Sequence, residues 1–261
     1  MIPKIIHYCW LSDDPIPSQL KKYIEDWSKI MPDYKVKKWD QDTINLDDHP
    51  FAKHAFDAKK YAFAADYIRV YALYNEGGIY LDSDVLVLKS FDKFLSFGYF
   101  TSFENHWRPS FFKMLTGRYI DKRGNRYENI QKVIGVGLQA AIMGSEAQHP
   151  ILKDLWEYYS FLNWSNDALP VLAPYVYARI AERYGFKYFD KLQFLENNIV
   201  VFSSDVFATK GIYVNNNTHA IHMIVGSWVG QPKNSVLKML KKNDLLMDIY
   251  LRWKIIFKSQ K

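Results

Sequence analysis

Residues 75–88, NEGGIYLDSDVLVL, place two aspartates one residue apart inside a run that otherwise reads as a buried strand. The apolar stretch begins at Ile79, directly after Gly77 and Gly78, and resumes at Val85. A carboxylate in a low-dielectric interior is costly unless something offsets its charge. On an extended backbone, residues two apart face the same side, so one strand over 79–88 would aim Asp82 and Asp84 at a single point. A cation relieves their mutual repulsion. Oxygen-rich carboxylate sites suit Mn²⁺ or Mg²⁺, ions that commonly complete their shell with substrate phosphates. A D-x-D pair is by itself equally the mark of a solvated edge strand; its place after a helix and a glycine pair favours a metal–diphosphate clasp.

Working outward, residues 56–78 are rich in Ala and aromatics, contain no proline and stop at the glycine pair, which predicts a helix with a glycine C-terminal signal. Asp66 and Arg69 lie three apart and share a face of it. As an ordinary intrahelical ion pair they would contribute a few tenths of a kcal/mol. The apolar bulk of Phe63, Tyr67, Val70, Tyr71 and Tyr74 around them points instead to partial burial, where they can hold a ligand's hydroxyls and phosphate. Further upstream, residues 3–11 read as a strand, a helix follows and ends at Pro32, and residues 34–40 read as a second strand; this order suggests a parallel sheet. Downstream, residues 100–135 offer few periodic cues and read as loops and short elements around a site. Residues 136–162 read as a strand, a Gly-Ser turn and a helix opened near Pro150. Residues 173–186 read as a helix, 199–208 as a strand, and 218–228 as a final strand and loop.

Composition narrows the class. The 261 residues are 49% hydrophobic and 24% charged, the profile of an ordinary globular protein. Aromatics reach 17%, which a Tyr-rich core explains as well as a sugar-handling surface does. Cys9, the single cysteine, cannot form an intrachain disulfide and fits a reducing compartment. With no secretory signal and no window near the ~20 apolar residues of a spanning helix, the expected location is cytoplasmic, or peripheral on the cytoplasmic face of the inner membrane. The net charge of +6 falls entirely on residues from Lys233 onward, where a nucleic-acid binder would carry it on the body. That tail mixes Leu, Ile, Trp and Phe with lysines, and reads either as an amphipathic helix lying on an anionic membrane or as a helix packed on the domain. In the absence of a repeat or linker, the expectation is one domain over residues 1–231 and a basic amphipathic tail over 232–261.

AADYIRVYALYNEGGIYLDSDV (64–85) resembles the signature of family 32 glycosyltransferases, the DXD-containing sugar-transferase group. That group includes fungal initiating α-1,6-mannosyltransferases and bacterial capsular enzymes, and the pattern is similar to the catalytic domain of the clostridial glucosylating toxins. IPKIIHYCWLS (2–12), YKVKKWD (34–40) and THAIHMIVGSW (218–228) resemble the family's opening strand, second strand and closing motif. The resemblance implies a GT-A type nucleotide-binding α/β sandwich, with a central, mostly parallel sheet flanked by helices and the ligand beyond the strands' carboxyl ends.

It also implies roles. Asp82 and Asp84 would hold Mn²⁺ or Mg²⁺ on a nucleotide-sugar diphosphate, with His222 as a further metal ligand and His219 as its runner-up. Ser83, Ser227 and Trp228 would lie near the diphosphate. Asp66 would bond the donor sugar's hydroxyls, and Arg69 the sugar or its phosphate. Trp10 would meet the nucleotide base, and His7 is read as structural or near the base. Gln139 would place an amide under the donor sugar, while Glu104 and His106 are acceptor-side candidates. The implied activity is retaining, metal-dependent transfer of a hexose to a glycan or lipid-linked saccharide, with a UDP-sugar such as UDP-galactose or UDP-glucose as favoured donor and GDP-mannose as the alternative. Front-face attack is preferred, because no enzymic nucleophile stands out.

Three rivals remain on the residues alone. A glycoside hydrolase also uses two carboxylates, but its pair flanks the scissile bond and would not share a metal. A carbohydrate-binding module accounts for the aromatics but not for Arg69 and His222. Metal-dependent phosphotransfer usually brings a Gly-rich phosphate loop, and no Walker A sequence is present.

Overall fold

The first three elements form as the sequence leads one to expect. In the computed structural model, which describes residues 1–105, 117–162, 171–209 and 214–225, β1 (Ile5–Cys9) is followed by α1 (Ser18–Ile30) and β2 (Lys35–Trp39), and the two strands pair in parallel. Helix α1 buries Leu20, Tyr23 and Trp27 at helical spacing, and Trp27 Nε1 donates to the Val85 carbonyl at 2.9 Å. The expected long helix over 56–78 is two helices, α2 (Pro50–Asp57) and α3 (Tyr61–Glu76). The break falls at Lys59, whose φ of 56° takes it out of the helical region while Lys60 N donates back to Ala55 O at 2.8 Å.

The expected strand over 79–88 is likewise divided. β3 (Gly78–Leu81) ends before Asp82, residues 82–84 form a turn closed by Val85 N to Asp82 O at 3.0 Å, and β4 (Val85–Val87) leaves in a different sheet. The two aspartates therefore do not converge by strand alternation: a turn brings them together. Two buried aspartates in mid-strand would meet sheet neighbours on either side, whereas a turn between sheets leaves their carboxylates at an open edge.

The remaining elements are β5 (Tyr99–Asn105), β6 (Val136–Leu138), β7 (Ile142–Ser145), α4 (Pro150–Ser160), α5 (Ala173–Ala181), β8 (Gln193–Leu195), β9 (Ile199–Phe202), β10 (Phe207–Thr209) and β11 (Ala220–His222). The main sheet runs β2-β1-β3-β7-β5-β9-β8 with β6 on β5, and a smaller sheet runs β10-β11-β4. An α/β sandwich with a central sheet and flanking helices is what forms. The sheet is mixed and not mostly parallel: β1 pairs in parallel with β2 and β3, and β5 with β9, but β7 runs antiparallel between β3 and β5. The chain keeps one direction from β6 to β7: both strands run antiparallel to β5 and only a bend at 139–141 separates them.

Two apolar layers pack on the sheet. Tyr80, Tyr99 and Phe103 face α2, α3, α4 and α5, while Ile79, Leu81 and Phe100 face α1 and the small sheet, the period-2 alternation of strands buried on both faces. Gly78 is required where β3 meets β1: its φ is 105°, and a Cβ there would lie 2.6 Å from Ile5 O. Among the described residues no helix is long and apolar enough to cross a membrane. The tail over 232–261 lies outside the described residues.

Candidate active site

The site is built where α3, the 82–84 turn and β11 meet. Arg69 is the hub. Its Nη2 lies 3.1 Å from Asp82 Oδ1 and 3.2 Å from Asp66 Oδ1, its Nη1 donates to the Ala140 carbonyl at 2.8 Å, and its Nε to the Ala65 carbonyl at 3.2 Å. The guanidinium also lies 4.8 Å over the Tyr80 ring. Both Arg69 and Asp66 are buried, so this pair is not the solvated i,i+3 bridge of an exposed helix. Burial pushes the Asp66 carboxyl up to about 7, with Arg69 opposing and the charge of Asp82 adding. Burial works against the charged guanidinium too, but the charges around it, Asp82 foremost, hold Arg69 well above its usual value.

Opposite Arg69, β11 runs antiparallel to β4 with His222 across from Val85. This register sets the imidazole beside the turn: His222 Nε2 is 3.3 Å from Asp84 Oδ1 and 3.9 Å from Asp82 Oδ2. One ligand atom from each of Asp82, Asp84 and His222 lies within 4.8 Å of the others. Burial disfavours the charged ring, yet the charge and hydrogen bond of Asp84, with Asp82 behind it, raise His222 to about 9. Its Nδ1 is buried with no hydrogen-bond partner among the described residues. Two carboxylates that hold a positive charge on a neighbouring imidazole form a donor set that fits a divalent cation, with His222 then turning neutral to offer a nitrogen.

The other oxygen of Asp84 is already committed. Oδ2 accepts from Val225 N at 2.8 Å, and the Asp84 carbonyl accepts from Met223 N at 3.1 Å. Between them Ile224, whose side chain is β-branched, has a φ of 47°, a strained conformation held by these two contacts. His222 and not His219 joins the cluster. His219 Nδ1 hydrogen-bonds the Asn217 carbonyl and its ring packs edge-on against Phe94.

These groups line a cavity of about 640 Å³ whose walls also include Trp10, Asp14, Tyr61, Ser83, Glu104, Gln139, Pro174 and Ile224. The Trp10 Nε1 donates to the Asp14 carbonyl at 2.8 Å. Each end of the Gln139 amide has a protein partner: its Nε2 donates to Thr209 Oγ1 at 3.0 Å, and its Oε1 accepts from Ala141 N at 3.1 Å. Thr209 pairs with His222 across β10 and β11, so the Gln139 amide ties the bend between β6 and β7 to β10, the neighbour of the strand bearing His222.

His7 does not reach the cavity. It is fully buried, and Trp39 Nε1 donates to its Nδ1 at 3.0 Å, which leaves Nε2 to carry the proton and donate to the Gly77 carbonyl at 2.8 Å. Burial lowers it to about 4. Of its two expected roles the structural one fits, because both ring nitrogens are spent and no surface faces a base. Ser227, Trp228 and His106 lie outside the described residues. Sequence reasoning missed Tyr61 and Ile224 as cavity residues; nothing in spacing or residue type marks either before the fold brings them in.

Residues 17–101 match the family described as the glycosyltransferase sugar-binding region containing DXD motif. This bears out, over those residues, the resemblance read from the sequence. An uncharacterized glycosyltransferase of Acanthamoeba polyphaga mimivirus is 39% identical over 110 residues, 38% of this chain and 42% of that protein. The inositol phosphoceramide mannosyltransferase 3 of Schizosaccharomyces pombe is 32% identical over 100 residues, 37% of this chain and 28% of that protein. A mannosyl phosphorylinositol ceramide synthase of Saccharomyces cerevisiae is 27% identical over 166 residues, 60% of this chain and 36% of that protein. The chain thus spans less than half the length of these curated relatives. Among solved structures, the PaToxG glycosyltransferase superposes with a TM-score of 0.48 at 19% identity, covering 70% of this chain and 69% of that one. A galactosyltransferase solved with donor and acceptor sugar analogs gives 0.40 at 11% identity over 94% and 95%.

Proposed function

From the premise that residues 17–101 are a DXD-containing glycosyltransferase sugar-binding region, we propose that this chain transfers a hexose from a nucleotide sugar to a hydroxyl of a glycan or glycolipid, with a divalent cation at Asp82, Asp84 and His222. The observation that carries the reading is the convergence of those three side chains in a cavity that Trp10 also lines. When bound there, Mn²⁺ or Mg²⁺ would supply Lewis-acid stabilisation of the charge that develops on the leaving diphosphate.

The chain's own groups do the rest. Trp10 offers a ring for the base, and Ser83 lies in the same turn for the diphosphate. Arg69 spends its donors on Asp66, Asp82 and two carbonyls, so it acts by fixing those carboxylates and by its field more than as a direct phosphate ligand. Asp66 faces the cavity and can accept from sugar hydroxyls in its ionised form. Gln139 lines the same cavity, where its amide dipole would stabilise developing positive charge on the sugar. With no free nucleophilic carboxylate assigned, retention by front-face attack remains the favoured course, the acceptor's proton passing to a donor phosphate oxygen.

On the donor, several of the relatives bear names that specify mannosyl transfer to inositol phosphoceramide or phosphorylinositol ceramide. This favours a mannosyl donor, with GDP-mannose ahead of UDP-glucose and UDP-galactose, and a glycolipid acceptor, with action at a membrane surface. The test is a panel of these three nucleotide sugars with Mn²⁺, scored for acceptor-free hydrolysis. The reading expects release of one nucleoside diphosphate, abolished by EDTA. Release that EDTA leaves intact, or none from any donor, would overturn it.

A further inference from the structure

The cavity has a wall that the donor reading leaves unused. β5 is buried along its whole length, and its second-last residue is a carboxylate: Glu104 is only 4% exposed yet faces the cavity. Strand alternation puts Glu104 on the face of Ser102, whose Oγ donates to the Phe207 carbonyl of β10 at 3.2 Å, and so on the side of the small sheet that carries His222. Glu104 pairs with Gly137 across β5 and β6. Gly137 in turn lies hard against α5, since a Cβ there would come within 2.5 Å of the Pro174 carbonyl. The absent side chain thus lets the start of α5 pack on β6, and Leu172, Ala173 and Pro174 line the same cavity as Glu104. Leu172 remains 46% exposed beside it.

We propose that Glu104 and the start of α5 form the acceptor subsite, in which Glu104 accepts a hydrogen bond from a hydroxyl of a ring polyol, a sugar or a cyclitol. The inference rests on the glycosyl-transfer reading above. A ring polyol presents hydroxyls at its edge and C–H groups on its faces, and this wall offers one buried acceptor beside an aliphatic surface. Glu104 lines the same cavity as Asp66 and the metal residues, so a hydroxyl held by it shares that cavity with the donor sugar.

The test measures how the glycosyl group of the donor partitions between water and an added polyol, with methyl α-D-mannoside and myo-inositol as probes and Mn²⁺ present. In the wild-type chain, product on at least one polyol is expected to exceed the bulk mole ratio of polyol to water. Glu104→Gln and Glu104→Ala are expected to lower that partition about tenfold or more, the worth of a hydrogen bond to a charged group, while Mn²⁺ with nucleoside diphosphate still binds. Leu172→Ser is expected to raise the KM for the polyol with kcat at saturation retained. Wild-type partition at the bulk ratio for both probes, or partition unmoved by the Glu104 variants, overturns the subsite and leaves glycosyl transfer standing. Failure to bind any nucleoside diphosphate with Mn²⁺ overturns the transfer reading itself, and the subsite with it.

Discussion

Arg69 Nη2 stands 3.1 Å from Asp82 Oδ1 and 3.2 Å from Asp66 Oδ1, so a single guanidinium joins a carboxylate of helix α3 to the first carboxylate of the D-x-D turn. Its other donors reach the Ala65 and Ala140 carbonyls, so four partners, on one helix and two connecting segments, converge on one planar group. Arginine alone matches this arrangement, because its fork supplies several fixed donors at once whereas an ammonium is a single point charge.

Arg69→Lys is therefore expected to behave as a severe change. Transfer should fall by about 10²-fold in kcat/KM as Asp66 and Asp82 lose their alignment, and thermal unfolding should show a loss of about 2–4 kcal/mol from the stranded carbonyls and carboxylates. A lysine variant with wild-type kinetics would show that the fork geometry is irrelevant.

Asp66 sets a pH dependence whose sign follows from its environment. Burial raises its carboxyl from 3.8 to about 7 in the folded chain. Between about pH 4 and 7 the folded state then holds a proton that the unfolded state has released, so this group's contribution makes stability fall as pH rises through that window. Asp66→Asn is expected to be more stable than wild type at pH 8 by about 1–3 kcal/mol, and to lose that advantage near pH 4. Chemical denaturation of the metal-free protein at the two pH values checks it. In activity, the ionised form should be required, so the acid limb of the rate profile should carry an apparent pKa near the same value.

Tyr159 and Tyr177 pack behind Asp66 and Arg69 with their hydroxyls buried and, among the described residues, unpaired. A hydroxyl that gains no hydrogen bond on folding contributes a desolvation cost. Tyr159→Phe and Tyr177→Phe are each expected to leave the midpoint of thermal unfolding unchanged or to raise it by the equivalent of about 1 kcal/mol. A drop of that size in either variant would reveal a partner for the hydroxyl.

Gly78 is the backbone position on which the site's placement depends. Its φ of 105° disfavours any side chain, and the Cβ would meet Ile5 O at 2.6 Å. Gly78→Ala should cost about 2–4 kcal/mol, by conformational strain and by parting β3 from β1. Urea unfolding would measure it; a loss below about 0.5 kcal/mol would contradict the close approach.

How much of this was readable beforehand divides along physical lines. The glycine pair, the helix with Asp66 and Arg69 on one face, the flanking strands and the D-x-D all carry local signals, and each stands where the sequence suggests. The turn at 82–84 is hidden, since Leu81 and Val85 flank the aspartates with the same apolar residues whether the strand continues or changes sheet. β5 escaped notice within the stretch over 100–135 because YFTSFEN, buried on both faces, lacks the alternation that marks a half-exposed strand. Strand 199–208 is in fact β9 and β10 in two sheets, for the same reason. His222 was placed by its Ser-Trp neighbours in sequence, whereas its contact with Asp84 comes from a β4–β11 pairing that no local pattern encodes. The full commitment of Arg69 and His7 to protein partners is likewise a tertiary fact, and it changes what each can do for a ligand.

The most direct measurement is calorimetric titration of the wild-type chain and of Asp84→Asn with GDP and UDP, each with and without Mn²⁺. If the paired aspartates grip a cation that bridges to the pyrophosphate, one nucleotide should bind the wild type only when Mn²⁺ is present, and Asp84→Asn should weaken that binding by about 10²-fold or more. Equal nucleotide affinity with and without the metal, or an unchanged affinity in the variant, would contradict the account.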